Sequence, residues 1–209
     1  LKAMRKISVI MPSYLSVYEG SSTDRINKFH RAIERFLKQD YEQKELVVVS
    51  DGCDYTDTEI LKYQKHDCIK HIRLPKAVQF CGENIQQGIK IATGEYICYL
   101  DTDDFFGESN HLSSIVQAFE KNDVDWIFMN NYFGDGIHID GVKKTILEFG
   151  SVGTSSIAHK KNVKSEWTNC DGWGHDWMFI QKLINDHPNH LKINAGSYRI
   201  CHIKNLYEV

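Results

Sequence analysis

The chain has 209 residues, of which 42% are hydrophobic and 25% are charged, and its formal net charge is −3. This charge balance argues against a nucleic-acid binder that works through a broad basic face. The composition is typical of a globular protein rather than a disordered one, and the length favours one large domain over two small ones. No apolar run approaches the roughly 18 residues that a membrane-spanning helix needs.

Six cysteines are scattered along the chain, and no two of them form a C-x-x-C pair. This spacing excludes a zinc ribbon and argues against a disulfide framework in a chain of this length. No hydrophobic leader opens the given sequence, because Lys2, Arg5 and Lys6 lead directly into a short strand-like run. We therefore expect a protein of the reducing cytoplasm, and peripheral contact with the inner face of a membrane stays compatible with the sequence.

In the first half of the chain, short β-branched apolar runs alternate with amphipathic segments. The predicted strands are 7–11, 45–50, 69–74 and 95–100, and the predicted helices are 26–37, 56–66 and 84–92. Asp24 is placed to cap the first helix, and Gly94 to end the third as a C-cap glycine. This alternation is typical of an α/β layer with a parallel sheet, in which ligands bind beyond the carboxyl ends of the strands.

The second half has a mixed pattern. We predict a helix over 112–119 capped by Ser109, a ribbon over 137–149 that turns at Asp140-Gly141, and a helix over 176–184. The predicted strands are 125–130, 154–159 and 192–203. The whole pattern predicts one α/β domain, 1–209, with a mostly parallel central sheet flanked by helices. Residues 1–104 would serve one ligand, and the smaller mixed half, 105–209, another.

The strongest chemical signal is the run Asp101-Thr102-Asp103-Asp104, which directly follows a predicted strand. Three carboxylates within four residues repel one another unless a cation lies among them. Hard oxygen ligands suit Mg²⁺ or Mn²⁺, ions that also take substrate phosphates as ligands. A solvated acidic turn is the alternative, and the position at the carboxyl end of a strand favours the metal.

Other candidates are weaker when taken singly. Asp51 ends a strand, where it can bind a uracil imide or a ribose hydroxyl, or form an Asx turn before Gly52. Asp176 opens a helix, where it can act as a general base or cap that helix. His202 can complete a metal site or be structural, and Arg199 can offset phosphate charge.

Several segments, taken together in their order and spacing, resemble the family 2 glycosyltransferases of the GT-A fold. The segments that carry this resemblance are 7–14, 36–41, 45–53, 84–104 and 173–176, followed by Tyr198, Arg199 and His202. The resemblance implies a Rossmann-like domain that binds a nucleotide-diphospho-sugar, with UDP as the default nucleotide. It implies transfer with inversion to a hydroxyl of a saccharide or lipid-linked acceptor, as in surface polysaccharide biosynthesis.

The resemblance also implies roles for individual residues. Asp176 would be the catalytic base, and Asp103, with Asp101 and His202, would bind Mn²⁺ or Mg²⁺. The residues implied in donor binding are Pro12, Ser13, Tyr14, Asp51, Asn84, Asp101 and Arg199.

The sequence departs from the family's pattern at three positions. Ser50 stands where the family usually has an acid, Glu83 where it often has an arginine, and His175 where it usually has a glutamate. Lys76 or Arg199 is expected to replace the missing arginine at the diphosphate.

On the acceptor side, we expect aromatic faces for sugar rings and a closing loop. The aromatic candidates are Trp167, Trp173, Trp177 and Tyr132, with core packing as the alternative, which we favour for Trp177. Loop 164–171 is polar enough to be mobile and to close over the donor. Loop 16–23 is longer than usual in the family and could border the mouth of the site.

Three other functions compete with this interpretation. A dehydrogenase of similar sheet type would carry G-x-G-x-x-G after the first strand, where Pro12-Ser-Tyr-Leu-Ser16 stands instead. A phosphatase with a D-x-D nucleophile would carry that motif on its opening strand. A non-catalytic nucleotide-sugar-binding module is the main alternative, and the presence of both Asp103 and Asp176 favours an enzyme.

Overall fold

The structure is a computed structural model that describes residues 5–76, 82–134, 141–170 and 174–201. Over these residues the strands are β1 (Ile7–Ser13), β2 (Lys44–Asp51), β3 (Ile69–Leu74), β4 (Tyr96–Tyr99), β5 (Phe105–Phe106), β6 (Trp126–Met129), β7 (Asn131–Phe133), β8 (Gly141–Lys143), β9 (Ile157–Lys160), β10 (His190–Ile193) and β11 (Tyr198–Ile200). The α-helices are α1 (Arg25–Leu37), α2 (Asp54–Ile60), α3 (Gly82–Ile91), α4 (His111–Lys121) and α5 (His175–Asp186). Short 3-10 turns lie at Leu61–Tyr63 and Thr154–Ser156.

The central sheet has the strand order β10-β6-β9-β4-β1-β2-β3. Its neighbours pair in parallel except at β9, which runs antiparallel to both β4 and β6. A smaller sheet has the order β5-β11-β7-β8. The prediction of an α/β fold with a mostly parallel central sheet is confirmed, and the reversal of β9 makes the sheet mixed.

Strand β1 is buried on both faces, as its unbroken apolar run predicts. Its alternate residues enter two cores, because side chains of a strand point to opposite faces in turn. Val9 packs on one face with Phe29 of α1, and Ile10 packs on the other with Ile85 of α3. Gly88 lets α3 lie close to the sheet, since a Cβ there would be 2.7 Å from a methyl carbon of Ile10.

Strand β1 continues to Ser13, two residues beyond its predicted end at Met11. Pro12 is tolerated inside the strand because of where its missing N–H would point. The Ile10 carbonyl accepts a hydrogen bond from the Leu100 N–H on the β4 side, and Pro12 faces that same side two residues on. The ladder with β4 ends at Ile10, so Pro12 removes no ladder bond.

At three helix ends, the capping interaction predicted from the sequence is not the one that the structure shows. Asp24 precedes α1 in left-handed backbone (φ 53°) and makes no side-chain cap. Gly94 follows α3 without a left-handed φ; it is needed because a Cβ would lie 2.5 Å from Ser8 Oγ. Helix α4 begins after Asn110 rather than directly after Ser109.

The second half differs most from its prediction. The single strand predicted over 192–203 is wrong: β10 lies in the central sheet and β11 in the smaller one, with Gly196 (φ +115°) between them. The partner of β8 is β7, which the sequence did not indicate. Residues 135–140, with Asp140 of the predicted turn at 140–141, lie outside the described residues, and Gly141 begins β8. No helix in the described part of the chain is both long enough and apolar enough to cross a membrane.

A buried carboxylate ties the amino-terminal edge of the central sheet together. Glu45 is fully buried at the start of β2. It accepts hydrogen bonds from Ser8 Oγ at 2.6 Å and the Thr93 N–H at 2.5 Å, and the ammonium groups of Lys6 and Lys70 each lie 2.8 Å away. Burial alone would raise the pKa of Glu45, but these partners outweigh it and hold that pKa well below its usual range.

We expect Glu45→Gln to lower the free energy of unfolding by about 3 kcal/mol at pH 7, because it removes one partner of a buried ionic network. A depressed native pKa contributes stability above the pKa of the unfolded side chain, 4.5, and loses it as pH falls below that value. The difference in free energy of unfolding between wild type and variant should therefore become smaller at acidic pH. Urea unfolding at pH 7 and pH 4 measures it, with exposed Glu42→Gln as the control.

Candidate active site

The candidate donor-binding residues converge at one edge of the central sheet. Strands β4, β1 and β2 are neighbours and run in parallel, so their carboxyl ends lie side by side. Ser13 and Tyr14 come from the end of β1, Asp51 from β2, and the acidic turn 101–104 from β4. These residues therefore share one edge of the sheet.

Asp103 is held by groups from the loop before α1 and from α1 itself. Its carboxylate accepts a hydrogen bond from Ser22 Oγ at 2.8 Å and lies 3.8 Å from Arg25 Nη1. Arg31 Nη2 donates to the Asp103 backbone carbonyl at 2.9 Å. Two guanidinium groups thus offset the negative charge of the turn, and loop 16–23 reaches the site through Ser22, in line with the sequence expectation.

Tyr14 joins the acidic turn to the neighbouring strand ends. Its carbonyl accepts a hydrogen bond from Arg25 Nη2 at 2.5 Å. Its hydroxyl binds the Lys76 ammonium, which also lies 4.3 Å from the ring centroid. The hydrogen bond to Tyr14, with the charge of Asp51 nearby, raises the pKa of Lys76. Lys76 is therefore a fixed, exposed cation at this edge, as a contact to a diphosphate requires.

Asp104 is used differently from Asp103. It is fully buried, and its carboxylate accepts a hydrogen bond from the Cys201 N–H at 2.6 Å. The Tyr198 hydroxyl binds the same carboxylate and accepts a hydrogen bond from the Asp101 N–H at 3.0 Å. Burial, with Asp101 and Asp104 nearby, raises the pKa of Tyr198 well above its usual value, so its proton stays available for donation. Asp104 thus fastens β11 to the acidic turn.

The end of β2 is a tight turn in which Ser50 replaces the expected acid. Buried Ser50 Oγ accepts a hydrogen bond from the Cys53 N–H at 3.2 Å. Gly52 (φ +59°) is required, since a Cβ there would lie 2.6 Å from the Lys76 backbone nitrogen. Burial would raise the pKa of the Cys53 thiol, but hydrogen bonds from Ser16 and Thr56 lower it to about 7.

Asp176 comes from a different element, the first turn of α5. Its Oδ1 accepts a hydrogen bond from the Trp177 N–H at 2.7 Å. Its Oδ2 lies over Gly153, at a point 2.8 Å from where a Cβ of residue 153 would be. Burial lowers the pKa of Lys143, and the charge of Asp176 opposes that shift, so a cation faces this carboxylate. Burial also lowers the pKa of His175, which favours a neutral imidazole.

The expectation that Trp167 faces an acceptor sugar is wrong. Trp167 is 3% exposed, its indole N–H donates to the Tyr99 hydroxyl at 2.9 Å, and its ring stacks on Phe179 at 4.2 Å. It is a core residue. Half-buried Trp177 has Phe149 edge-on to its ring, in line with the packing role that we favoured.

Of the other aromatic candidates, Tyr132 is half-buried and lies beneath the Arg199 guanidinium, which is 5.6 Å from its ring centroid. Trp173 lies outside the described residues.

Segment 164–170 is fastened to α3. The Trp167 N–H donates to Gln86 Oε1 at 2.9 Å, and Asn169 Oδ1 accepts from the Glu83 N–H at 2.8 Å. A Cβ at Gly82 would lie 2.4 Å from the Thr168 carbonyl oxygen. These contacts do not fit a lid that hinges within 164–170, and they give Glu83 a structural role where the family often has an arginine.

The remaining candidates are spread over three elements. Pro12 is half-buried in β1, and Asn84 is 5% exposed in the first turn of α3. Arg199 lies on β11, where it pairs with Tyr132 of β7, so it belongs to the smaller sheet. His202 lies outside the described residues. Sequence reasoning missed Ser22, Arg25, Arg31, Lys143 and Gly153, and no local pattern marks any of them.

The acidic turn has the donor chemistry for Mn²⁺ or Mg²⁺. Both ions prefer oxygen ligands, and they are usually bound through one or two carboxylates together with water and substrate phosphates. Asp101 and Asp103 are carboxylates of that kind at a strand end. Within 5–76, 82–134, 141–170 and 174–201, no three His, Cys, Asp or Glu side chains converge as a metal site. The two carboxylates therefore match the ligand preference of either ion in residue type.

Comparison with known proteins decides the family. The model of the family described as "Glycosyl transferase family 2" matches residues 8–187, which is most of the chain. The chain belongs to glycosyltransferase family 2. An uncharacterized glycosyltransferase of Rickettsia bellii is 33% identical over 118 residues, which cover 56% of this family 2 chain and 15% of that protein. The chain therefore spans only a small part of that relative's length.

Solved structures show the same fold. Residues 1–349 of S. aureus TarS, in complex with UDP-GlcNAc, match with a TM-score of 0.75 and 17% identity, over 96% of this chain and 60% of that one. The mannosyltransferase PcManGT of Pyrobaculum calidifontis, in complex with GDP-Man and Mn²⁺, matches with a TM-score of 0.72 and 13% identity, over 99% and 59%. The GT-A fold expected for a family 2 chain is confirmed.

Proposed function

We propose that this family 2 chain transfers a sugar from a nucleotide-diphospho-sugar to a hydroxyl of a saccharide or lipid-linked acceptor, with inversion and with Mn²⁺ or Mg²⁺. The observation that carries the proposal is the pairing of an acidic turn at the carboxyl end of β4 with a separate carboxylate, Asp176, on α5. TarS binds UDP-GlcNAc and PcManGT binds GDP-Man with Mn²⁺, and both share this fold. UDP stays our default nucleotide.

Residues 1–104 would bind the donor, and 105–209 the acceptor. Tyr14 and Asp51 would meet the nucleoside, and the Lys76 ammonium would offset diphosphate charge beside them. Asp103 and Asp101, with His202, would hold the divalent ion. Such an ion, when bound, stabilises negative charge on a departing diphosphate. Asp104 would act through structure only, since its carboxylate is already bound by Tyr198 and Cys201.

Asp176 would accept the proton of the attacking hydroxyl. Its Oδ1 is held by the Trp177 N–H, so Oδ2 is the atom left to take that proton. Inversion needs the base and the leaving group on opposite faces of the sugar, so the base and the metal ligands would come from different elements, α5 and the turn after β4.

We further propose a cytoplasmic enzyme of surface polysaccharide synthesis.

A donor panel tests the function directly. The chain should release nucleotide from one of UDP-GlcNAc, UDP-glucose, UDP-galactose, GDP-mannose or a TDP-sugar with Mn²⁺ or Mg²⁺, and faster when a suitable saccharide is present. Nucleotide release measured with and without EDTA checks this. Donor binding without any turnover would instead support the non-catalytic binding module.

Asp103→Asn should abolish most of the metal-dependent rate, by roughly two orders of magnitude, because a divalent ion contributes several kcal/mol of charge stabilisation. Titration of Mn²⁺ in the presence of donor should show weaker metal binding. Asp67→Asn is the matched control, since Asp67 is exposed and precedes β3 at the opposite edge of the sheet. Unchanged metal dependence in Asp103→Asn would contradict the metal assignment.

Asp176→Asn should lower kcat by about 10²–10⁴-fold, the usual contribution of a general base. Donor affinity should stay close to wild type, because a general base acts on the acceptor hydroxyl rather than on the donor. Steady-state kinetics and calorimetric donor binding separate the two effects. Asp186→Asn, an exposed change in the last turn of the same helix, is the control. A fully active Asp176→Asn enzyme would rule out this base.

A further inference from the structure

The Asp176 carboxylate occupies space that a side chain at position 153 would fill. A Cβ built on Gly153 would lie 2.8 Å from Asp176 Oδ2, closer than carbon and oxygen atoms tolerate without displacement. The other carboxylate oxygen is fixed at 2.7 Å from the Trp177 N–H. The Trp177 N–H therefore fixes one oxygen of the carboxylate, and the other oxygen lies in space that is open only because residue 153 has no side chain.

Backbone conformation does not explain the glycine. Gly153 has φ −153° and ψ −174°, an extended conformation that any residue adopts. An alanine there would carry no backbone strain. The close approach to Asp176 is thus the feature of this site that a larger residue would disturb.

The segment that contains Gly153, residues 152–156, is held in place by burial and hydrogen bonds. Val152 is 3% exposed, and the Gly153 carbonyl accepts a hydrogen bond from the Ser156 N–H at 2.9 Å. Asn131 Nδ2 lies 2.6 Å from Ser155 Oγ and 3.0 Å from Ser156 Oγ. Strand β9 then begins at once and pairs on both sides within the central sheet. When a methyl group is added at 153, the carboxylate is the part that can move, because it is the end of a side chain.

We propose that Gly153 is a positioning residue for the base: its missing side chain sets where Asp176 Oδ2 stands. This inference rests on the proposed role of Asp176. The carboxylate keeps its charge and its helix whatever stands at 153, and only its placement against the acceptor hydroxyl changes. General-base catalysis depends steeply on such placement, and a displacement of about 1 Å can cost on the order of a hundredfold in rate.

Gly153→Ala tests the idea. We expect kcat to fall roughly tenfold to a hundredfold, with KM for the donor and the melting temperature close to wild type. Hydrolysis of the active donor gives the rate without an identified acceptor, because water then takes the place of the attacking hydroxyl. A crystal structure of the variant should show Oδ2 displaced from its wild-type position. An undisplaced carboxylate, or an unchanged kcat, would overturn the proposal.

A matched control and a double mutant sharpen the test. Gly141→Ala adds the same methyl group at a glycine of β8 with nothing within 4 Å, so its kcat should equal that of wild type. In an Asp176→Asn background, Gly153→Ala should lower kcat no further, because the group it displaces is already lost. If the two substitutions lower kcat additively, the effect of Gly153→Ala comes from a change in segment 152–156 itself, and the proposal is overturned.

The kinetics of the two variants distinguish the role of Asp176 from that of Gly153. If Asp176→Asn keeps full activity, the proposed base is wrong. If Asp176→Asn is inactive and Gly153→Ala matches wild type, the base stands and the positioning role of Gly153 is wrong.

Discussion

Repulsion among the three carboxylates that follow β4 is the constraint around which this edge of the molecule is organised. Like charges so close together destabilise the fold unless each is compensated. Asp104 is compensated by burial among donors, since the Cys201 N–H and the Tyr198 hydroxyl bind it. Asp103 is compensated by Ser22 and by the guanidinium of Arg25. Each acid thereby fastens a different segment, β11 or the α1 region, to the turn.

Asp104 and Asp103 are held by different kinds of partner. Asp104 is fully buried, and its Oδ1 is taken by the Cys201 N–H. Asp103 is paired instead with a hydroxyl and, at 3.8 Å, with an arginine, and all three side chains are largely buried. The same turn thus anchors two different segments of the fold. Two departures from the family pattern also serve the structure, since Ser50 closes a turn and the Glu83 carboxylate accepts a hydrogen bond from Asn169 Nδ2 at 3.3 Å.

The strand ends were predictable from sequence, and the residues that surround them were not. Apolar β-branched runs locate β1 to β4 to within two residues, and parallel order then brings Tyr14, Asp51 and Asp103 to one edge. Arg25 and Gly153 could not be found in this way, because their contacts are made across 78 and 23 residues of chain, from Arg25 to Asp103 and from Gly153 to Asp176. Trp167 was misplaced because an aromatic residue in a polar loop looks exposed, whereas its partners Tyr99 and Phe179 lie far away in sequence.

The reversed direction of β9 has a geometric consequence. Because β9 runs against β4, with Cys98 opposite Ala158, the chain arrives at β9 beside the point where it leaves β4. The residues that precede β9, 152–156, therefore reach the same rim as the acidic turn. If β9 ran parallel to its neighbours, that segment would lie at the opposite edge of the sheet. One inverted strand is thus enough to bring two separate stretches of polypeptide to the same rim of the sheet.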